Sequence, residues 1–175
     1  MTRQELLESL ADNHEAQIKK TLENLEEEII STISRATEGE LISTRIAIEL
    51  RKDIKRHIQE TYLFEADTII REYDKIVNEF LNEFGTLNIP DKFKSLTKID
   101  LETINALKYQ SFSGFEDLAN RYLTDISSNV YQNAIAGRSF RDMVKDIKGK
   151  VTGLEDRAGK PMSSHAGQLA HDSIM

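Results

Sequence analysis

Apolar residues recur at steps of three or four along the first long segment of the chain. The stripe consists of Leu7, Ala11, His14, Ile18, Leu22, Leu25, Ile29, Ile33 and Ala36. Steps of three and four keep side chains on one side of an α-helix, so the pattern predicts a helix over residues 4–36. The steps repeat as 4-3-4, a period of about 3.67 residues that departs from strict heptads. A coiled-coil dimer that pairs through this stripe remains an alternative.

A second segment, residues 41–84, continues helical spacing and contains neither Gly nor Pro. Its stripe consists of Ile46, Leu50, Ile54, Ile58, Ile69, Tyr73, Ile76, Phe80 and Phe84. The stripe shifts at residues 61–64, and a bend is expected there. Four aromatic residues are interpreted as core or helix-pairing positions instead of a ligand pocket: Tyr62, Phe64, Phe80 and Phe84. A helix over this whole segment would extend about 66 Å, more than the diameter of about 40 Å of a compact chain, which predicts an elongated molecule.

Glycine and proline residues mark the expected boundaries between segments. Gly39 is expected to end the first helix, so that residues 4–36 and 41–84 pack as an antiparallel hairpin. The stretch 85–97 contains Gly85 and Pro90 and is predicted to be a loop or hinge. The domain division is therefore a long helical hairpin at 1–84 and a region of shorter helices at 98–175.

The shorter helices are predicted from their caps and breaks. One runs from Lys98 to Tyr109, with the sequence SFSG as a break, and the next covers residues 115–136 until Gly137 closes it. Ser139 and Asp142 form an S-x-x-D capping signature before another short helix. The final helix begins at residue 163 or 164 and still shows a helical pattern at residue 175, so the chain is expected to be a fragment of a longer protein. The fold class is all-α.

Composition agrees with this fold class and excludes several functions. The chain is 39% hydrophobic and 30% charged, with eight Gly and two Pro, which suits long amphipathic helices. The absence of Cys excludes disulfides, thiolate catalysis and Cys-ligated zinc. No apolar run approaches the roughly 18 residues that a membrane-spanning helix needs.

Charge differs between the two halves and suggests one contact surface. Residues 1–84 hold 11 basic and 19 acidic residues, and residues 85–175 hold 12 basic and 11 acidic residues. Four cations recur at steps of three or four and are expected to share one helix side: Arg138, Arg141, Lys145 and Lys148. This side is a candidate contact for nucleic-acid phosphates or for an acidic protein surface. The alternative is a solvated face that Asp142 and Asp146 partly neutralise. The run Glu26, Glu27 and Glu28 is expected to be solvated.

Catalysis has no support in the motifs. The spacing of His165 and His171 does not place them on one helix face, so no two-His metal pair is expected. Phosphate-binding glycine loops and the G-x-S-x-G nucleophile motif are absent from the sequence. We therefore expect no enzyme activity, no cofactor and no metal.

The C-terminal third resembles a known family. The stretch 123–175, LTDISSNVYQNAIAGRSFRDMVKDIKGKVTGLEDRAGKPMSSHAGQLAHDSIM, has an amphipathic helix, a G-x-S-F junction into a second helix, a Gly-containing turn and a helix with small residues. This order is similar to that of the phage head morphogenesis family, the Mu F-type minor head proteins. Family members usually continue into a region with Cys and Arg residues that this chain lacks.

The resemblance implies a structural component of the virion that lies near the portal and assists head assembly in the host cytoplasm. In some family members such a protein is associated with DNA and delivered with it, so a role in DNA delivery is also implied. Its expected partners are the portal or other capsid proteins, with DNA as a further candidate, and self-association is left open. No catalytic residue comes with the resemblance. The alternative is a generic helical adaptor or coiled-coil scaffold without a virion role.

Overall fold

The computed structural model describes residues 3–37, 44–86, 98–153 and 160–173. Within these ranges the structure is helical and contains no strand, which confirms the all-α fold class. The helices are α1 (Arg3–Thr37), α2 (Thr44–His57), α3 (Phe64–Thr86), α4 (Lys98–Ile135), α5 (Phe140–Val151) and α6 (Met162–Asp172). A π-helical turn, Ile58–Leu63, joins α2 to α3 without a break.

The helices run alternately up and down. Thr32 and His14 of α1 contact His57 and Glu72 respectively, so α1 is antiparallel to the continuous α2–α3 unit. Lys108, early in α4, contacts Asp74 of α3, while α2 lies beside the later part of α4. Helices α5 and α6 then return along α4. This order is that of an up-down-up-down four-helix bundle.

Contacts between the described helices fix the cyclic order of the bundle. Helix α1 packs against α2 and α3 on one side and against α5 and α6 on the other. Helix α4 packs against the same two pairs, so α1 and α4 occupy opposite corners. One hydrophobic cluster contains residues from both halves of the sequence, including Ile29, Ile54, Tyr122 and Ile147. The expected hairpin therefore forms half of one shared core.

The stripe of α1 is buried as the spacing predicts. Its buried members are Ala11, His14, Ile18, Leu22, Leu25, Ile29 and Ile33. The end positions, Leu7 and Ala36, are half-buried. Each fully buried Leu or Ile contributes about 1.5–3 kcal/mol relative to an exposed one, so this stripe is a main source of stability.

The π-helical turn lies where the sequence predicts a shift of the second stripe. Buried positions recur at steps of four through Leu50, Ile54, Ile58, Tyr62 and Ala66. On a regular α-helix a step of four advances about 40° past a full turn, so four such steps would carry the stripe about 160° around the helix. A π turn accommodates an extra residue per turn and therefore keeps these side chains facing the core.

Two expectations about helix breaks and burial are wrong. The SFSG sequence does not break the chain, because α4 runs through it for 38 residues and is not one of several shorter helices. A helical Gly costs about 1 kcal/mol, and burial of Phe115 beside Gly114 outweighs that cost. Phe64 is 67% exposed and is not a core residue.

Some expected features lie outside the described residues. These are the turn at Gly39, the loop from residue 87 to residue 97, and the side chains of Phe80 and Phe84. Helix α3 includes Gly85, which was expected to start the loop. Among the described helices, none combines the length and apolar character required to cross a membrane.

Candidate functional site

A glycine turn and a serine cap position α5, the helix that carries most of the predicted contact residues. Gly137 has φ +63°, and its N–H and that of Arg138 donate to the carbonyls of Ala134 and Asn133. This pair of bonds is a Schellman motif, which ends α4. The Ser139 hydroxyl then accepts from the N–H of Asp142 and donates to the Asp142 carboxylate. The predicted closing glycine and capping signature are therefore confirmed.

The four predicted cations do not form one helix face. Arg138 precedes the N-cap and lies outside α5. Arg141 and Lys145 are exposed on α5, whereas Lys148 is half-buried and lines a groove against α1. The stepwise spacing was misleading at its first position, because the chain at residue 138 is not yet helical.

The groove runs along the contact between α1 and α5 and has a volume of about 740 Å³. Ile30, Phe140 and Val144 supply its apolar lining. Glu23 and Glu27 are exposed along its α1 side. Arg35 and Lys148 also line the groove, with Lys148 beside Glu26, so the exposed carboxylates are concentrated where Glu23 and Glu27 lie. That end combines an apolar floor with an acidic rim, which favours a cationic, amphipathic partner.

Glu26, which the sequence places in a solvated run, is buried beneath this groove. It is 4% exposed, and its Oε2 accepts a hydrogen bond of 2.6 Å from the Thr152 hydroxyl. Burial raises the pKa of Glu26, while the bond from Thr152 and the charge of Lys148 oppose that rise. The expectation of a solvated Glu26 is wrong because α5 covers this side of α1. Lys148 consequently acts as a local counter-charge.

A second polar cluster lies in the hairpin between α1 and α2. His57 Nε2 is 3.0 Å from the Thr32 hydroxyl, and His57 Nδ1 is 3.4 Å from Glu28 Oε2. The Thr61 hydroxyl also donates to Glu28 over 2.8 Å. These contacts link the π-helical turn to α1. In the part of the chain that the structure describes, no three His, Asp or Glu side chains form a group that could hold a metal.

Helix α2 carries a cationic surface that division of the sequence into halves conceals. It contains five basic residues, Arg45, Arg51, Lys52, Lys55 and Arg56, against two acidic ones, Glu49 and Asp53. All five basic side chains are exposed. Ile48 lies among them and is 53% exposed. A charge sum taken helix by helix would have found this surface.

Comparisons of the chain with family models, with curated proteins and with solved structures found no match.

Proposed function

We propose that the chain is a structural component of a phage head, a minor head protein that sits near the portal and assists assembly. The observation that supports this proposal is the order of elements after residue 123. The end of α4, the Gly137 turn, the Ser139 cap, α5 and α6 follow one another as the resemblance implies. The virion is the corresponding location, and the portal is the corresponding partner.

The exposed part of the predicted contact supplies the portal-binding surface in this proposal. Arg138, Arg141 and Lys145 face outward at the start of α5. Lys148 is a poor choice for mutation, because it lies beside Glu26 and supports the fold. A test of the contact should therefore change only the first three cations.

The experiment is co-expression of the chain with the portal protein encoded beside it, followed by co-purification and mass measurement. Replacement of Arg138, Arg141 and Lys145 by Glu should weaken the complex at least about 10-fold, since like charges would face an acidic portal surface. Glu and Lys have similar helix propensities, so circular dichroism should stay unchanged.

The matched control reverses three other exposed cations, Lys20, Arg71 and Lys75, on α1 and α3. This control changes net charge by the same amount and should leave portal binding intact. The same variants are also tested for binding to duplex DNA, because binding that weakens steeply with salt concentration identifies a contact with phosphates instead of with the portal. Failure of the wild-type chain to bind the neighbouring portal protein, or a gene neighbourhood without a portal gene, would favour the helical adaptor instead.

A further inference from the structure

Two surfaces on opposite sides of the bundle have complementary charge. The first is the α1–α5 groove, with its apolar floor of Ile30, Phe140 and Val144 and, at one end, the exposed carboxylates of Glu23 and Glu27, whereas Arg35 lines the other end. The second, which we call the α2 ridge, is the exposed Ile48 with the cations that flank it, Arg45, Arg51 and Lys52. The groove offers apolar surface between carboxylates, and the ridge offers an apolar side chain between cations.

From this complementarity we propose that the α2 ridge of one copy of the chain docks in the α1–α5 groove of a second copy. Ile48 would contact the apolar floor. Arg51 and Lys52, three and four residues further along α2, lie on the same helix side as Ile48 and would face Glu23 and Glu27. Their charges steer the two copies and fix the register of docking.

The bundle order decides what kind of assembly results. Because α1 and α4 occupy opposite corners, the α1–α5 contact and the α2–α4 contact lie on opposite sides of the bundle. A copy that is docked through its ridge still presents its own groove on the far side. The contact is therefore head-to-tail, and it produces a ring if the rotation closes or an open chain if it does not. A closed two-fold dimer is not expected.

The α2 ridge is poorly suited to a purely apolar partner. Ile48 and the partly exposed Tyr131 of α4 line one cleft, and four exposed cations lie within one or two turns of Ile48: Arg45, Arg51, Lys52 and Lys55. The ridge therefore needs an acidic binding surface, and the groove rim of a second copy of the same chain supplies one. This interface is independent of the virion role, because it uses neither the portal contact at the start of α5 nor the resemblance.

The test is a charge swap measured by sedimentation velocity over micromolar to millimolar concentration. The wild type should self-associate, more weakly at about 1 M than at about 0.1 M salt, because the Debye length falls from about 10 Å to about 3 Å. The groove variant, Glu23→Lys with Glu27→Lys, should associate at least about 100-fold more weakly. The ridge variant, Arg51→Glu with Lys52→Glu, should show the same loss.

Restoration is the decisive result. A mixture of the groove variant and the ridge variant should assemble, because every contact between unlike copies again joins opposite charges. A single chain that carries all four changes should also assemble. Glu8→Lys with Asp12→Lys, an equal charge change near the other end of α1, should leave association unaltered. Ile48→Ser should weaken association about 10-fold, and the variant should remain folded because the side chain is 53% exposed.

Any of four results would overturn the proposal. A wild type that stays monomeric at millimolar concentration would do so, as would an assembly that neither variant weakens. A mixture of folded variants that remains monomeric would exclude the ridge-to-groove contact. Binding of duplex DNA by the wild type, lost in the ridge variant and accompanied by no self-association, would assign the α2 cations to nucleic acid instead.

Discussion

Helix α1 packs against α6 in a different way from how it packs against α2 and α3. Toward α6, which we call the α6 interface, α1 meets a helix whose buried residues are Met162 and the small Ala166, Gly167 and Ala170. A Cβ on Gly167 would lie 2.8 Å from Lys19 Cε and 3.1 Å from Glu15 Cγ, so the two helices approach closely there. Toward α2 and α3, which we call the hairpin interface, the partners are large aliphatic residues joined by polar contacts across the helices.

The difference indicates two ways of specifying an antiparallel helix pair. The α6 interface depends on the absence of side-chain volume, so larger residues should harm it. The hairpin interface depends on filled volume, so smaller residues should destabilise it. Its polar contacts also fix which residues of the two helices lie opposite each other. Mutations of opposite size therefore test the comparison directly.

The largest effect should follow loss of volume in the hairpin interface. Ile54 is fully buried, and Ile54→Ala should lower the free energy of unfolding by about 3 kcal/mol through lost burial and the cavity that remains. Differential scanning calorimetry should show a Tm lower by about 6–12 °C, as expected for a chain of this size. Lys55→Ala, a change at the exposed neighbouring position, should alter the free energy of unfolding by no more than about 0.5 kcal/mol. A loss of similar size in both variants would contradict the assignment of Ile54 to the core.

The next effect should follow added volume in the α6 interface. Ala170 is fully buried, and Ala170→Leu should lower the free energy of unfolding by about 2 kcal/mol, because the helices cannot separate without losing other contacts. Urea denaturation followed by circular dichroism measures the change. Gln168→Leu, on the exposed side of the same helix, is the control and should be nearly neutral. Equal tolerance of Leu at both positions would mean that the close approach is not required.

A gain in stability is expected where the hairpin region buries a polar atom without a hydrogen bond. Tyr62 is fully buried against the edge of Phe115, and its hydroxyl has no hydrogen-bond partner in the described structure. Tyr62→Phe should therefore raise the free energy of unfolding by about 1 kcal/mol. Tyr122→Phe should lower it by about 1 kcal/mol, because the Tyr122 hydroxyl donates to the Lys160 carbonyl over 2.6 Å. Thermal denaturation of both variants should show shifts of opposite sign.

Periodicity predicts the parts of the fold that depend on a repeated local rule. The stripe of α1, the Gly137 turn and the Ser139 cap all follow from spacing or from backbone preference, and the structure confirms each one. A π-helical turn overlaps the region where the second stripe is predicted to shift. The continuity of α4 does not follow from such a rule. Its Gly-containing SFSG sequence is weak as a local helix, and tertiary burial of Phe115 decides the outcome.

The candidate site was less predictable because it depends on which helices become neighbours. Glu26 lies within an acidic run that is typical of a solvated face, and only the packing of α5 on α1 buries it. Lys148 likewise has the spacing of an exposed cation, although it lies beside Glu26. The α2 ridge carries a purely local signal, the surplus of basic residues within one helix, and a charge sum over the whole half obscures it.

The smallest expected effect concerns the polar contact that links α1 to α3 in the hairpin interface. His14 is 2% exposed, and its Nε2 lies 2.5 Å from Glu72 Oε2. This hydrogen bond lowers the pKa of Glu72 below its ordinary value of 4.5. A lowered carboxyl pKa means that the unfolded chain binds the proton more readily, so the contribution is present above about pH 4.5 and disappears as pH falls through the folded-state pKa. Glu72 is about one-third exposed, so we expect less than about 1 kcal/mol.

Urea denaturation at several pH values between about pH 6 and about pH 3 measures this contribution as the difference between the wild type and Glu72→Gln, a variant that cannot titrate at this position. The free energy of unfolding of the wild type should exceed that of the variant at about pH 6, and the difference should vanish at about pH 3. Glu65→Gln is the matched control, because the partner of Glu65 across the same interface is the uncharged Gln17. A pH-independent difference for Glu72→Gln would mean that the contact acts only through packing, and the hairpin interface would then owe its register to apolar side chains alone.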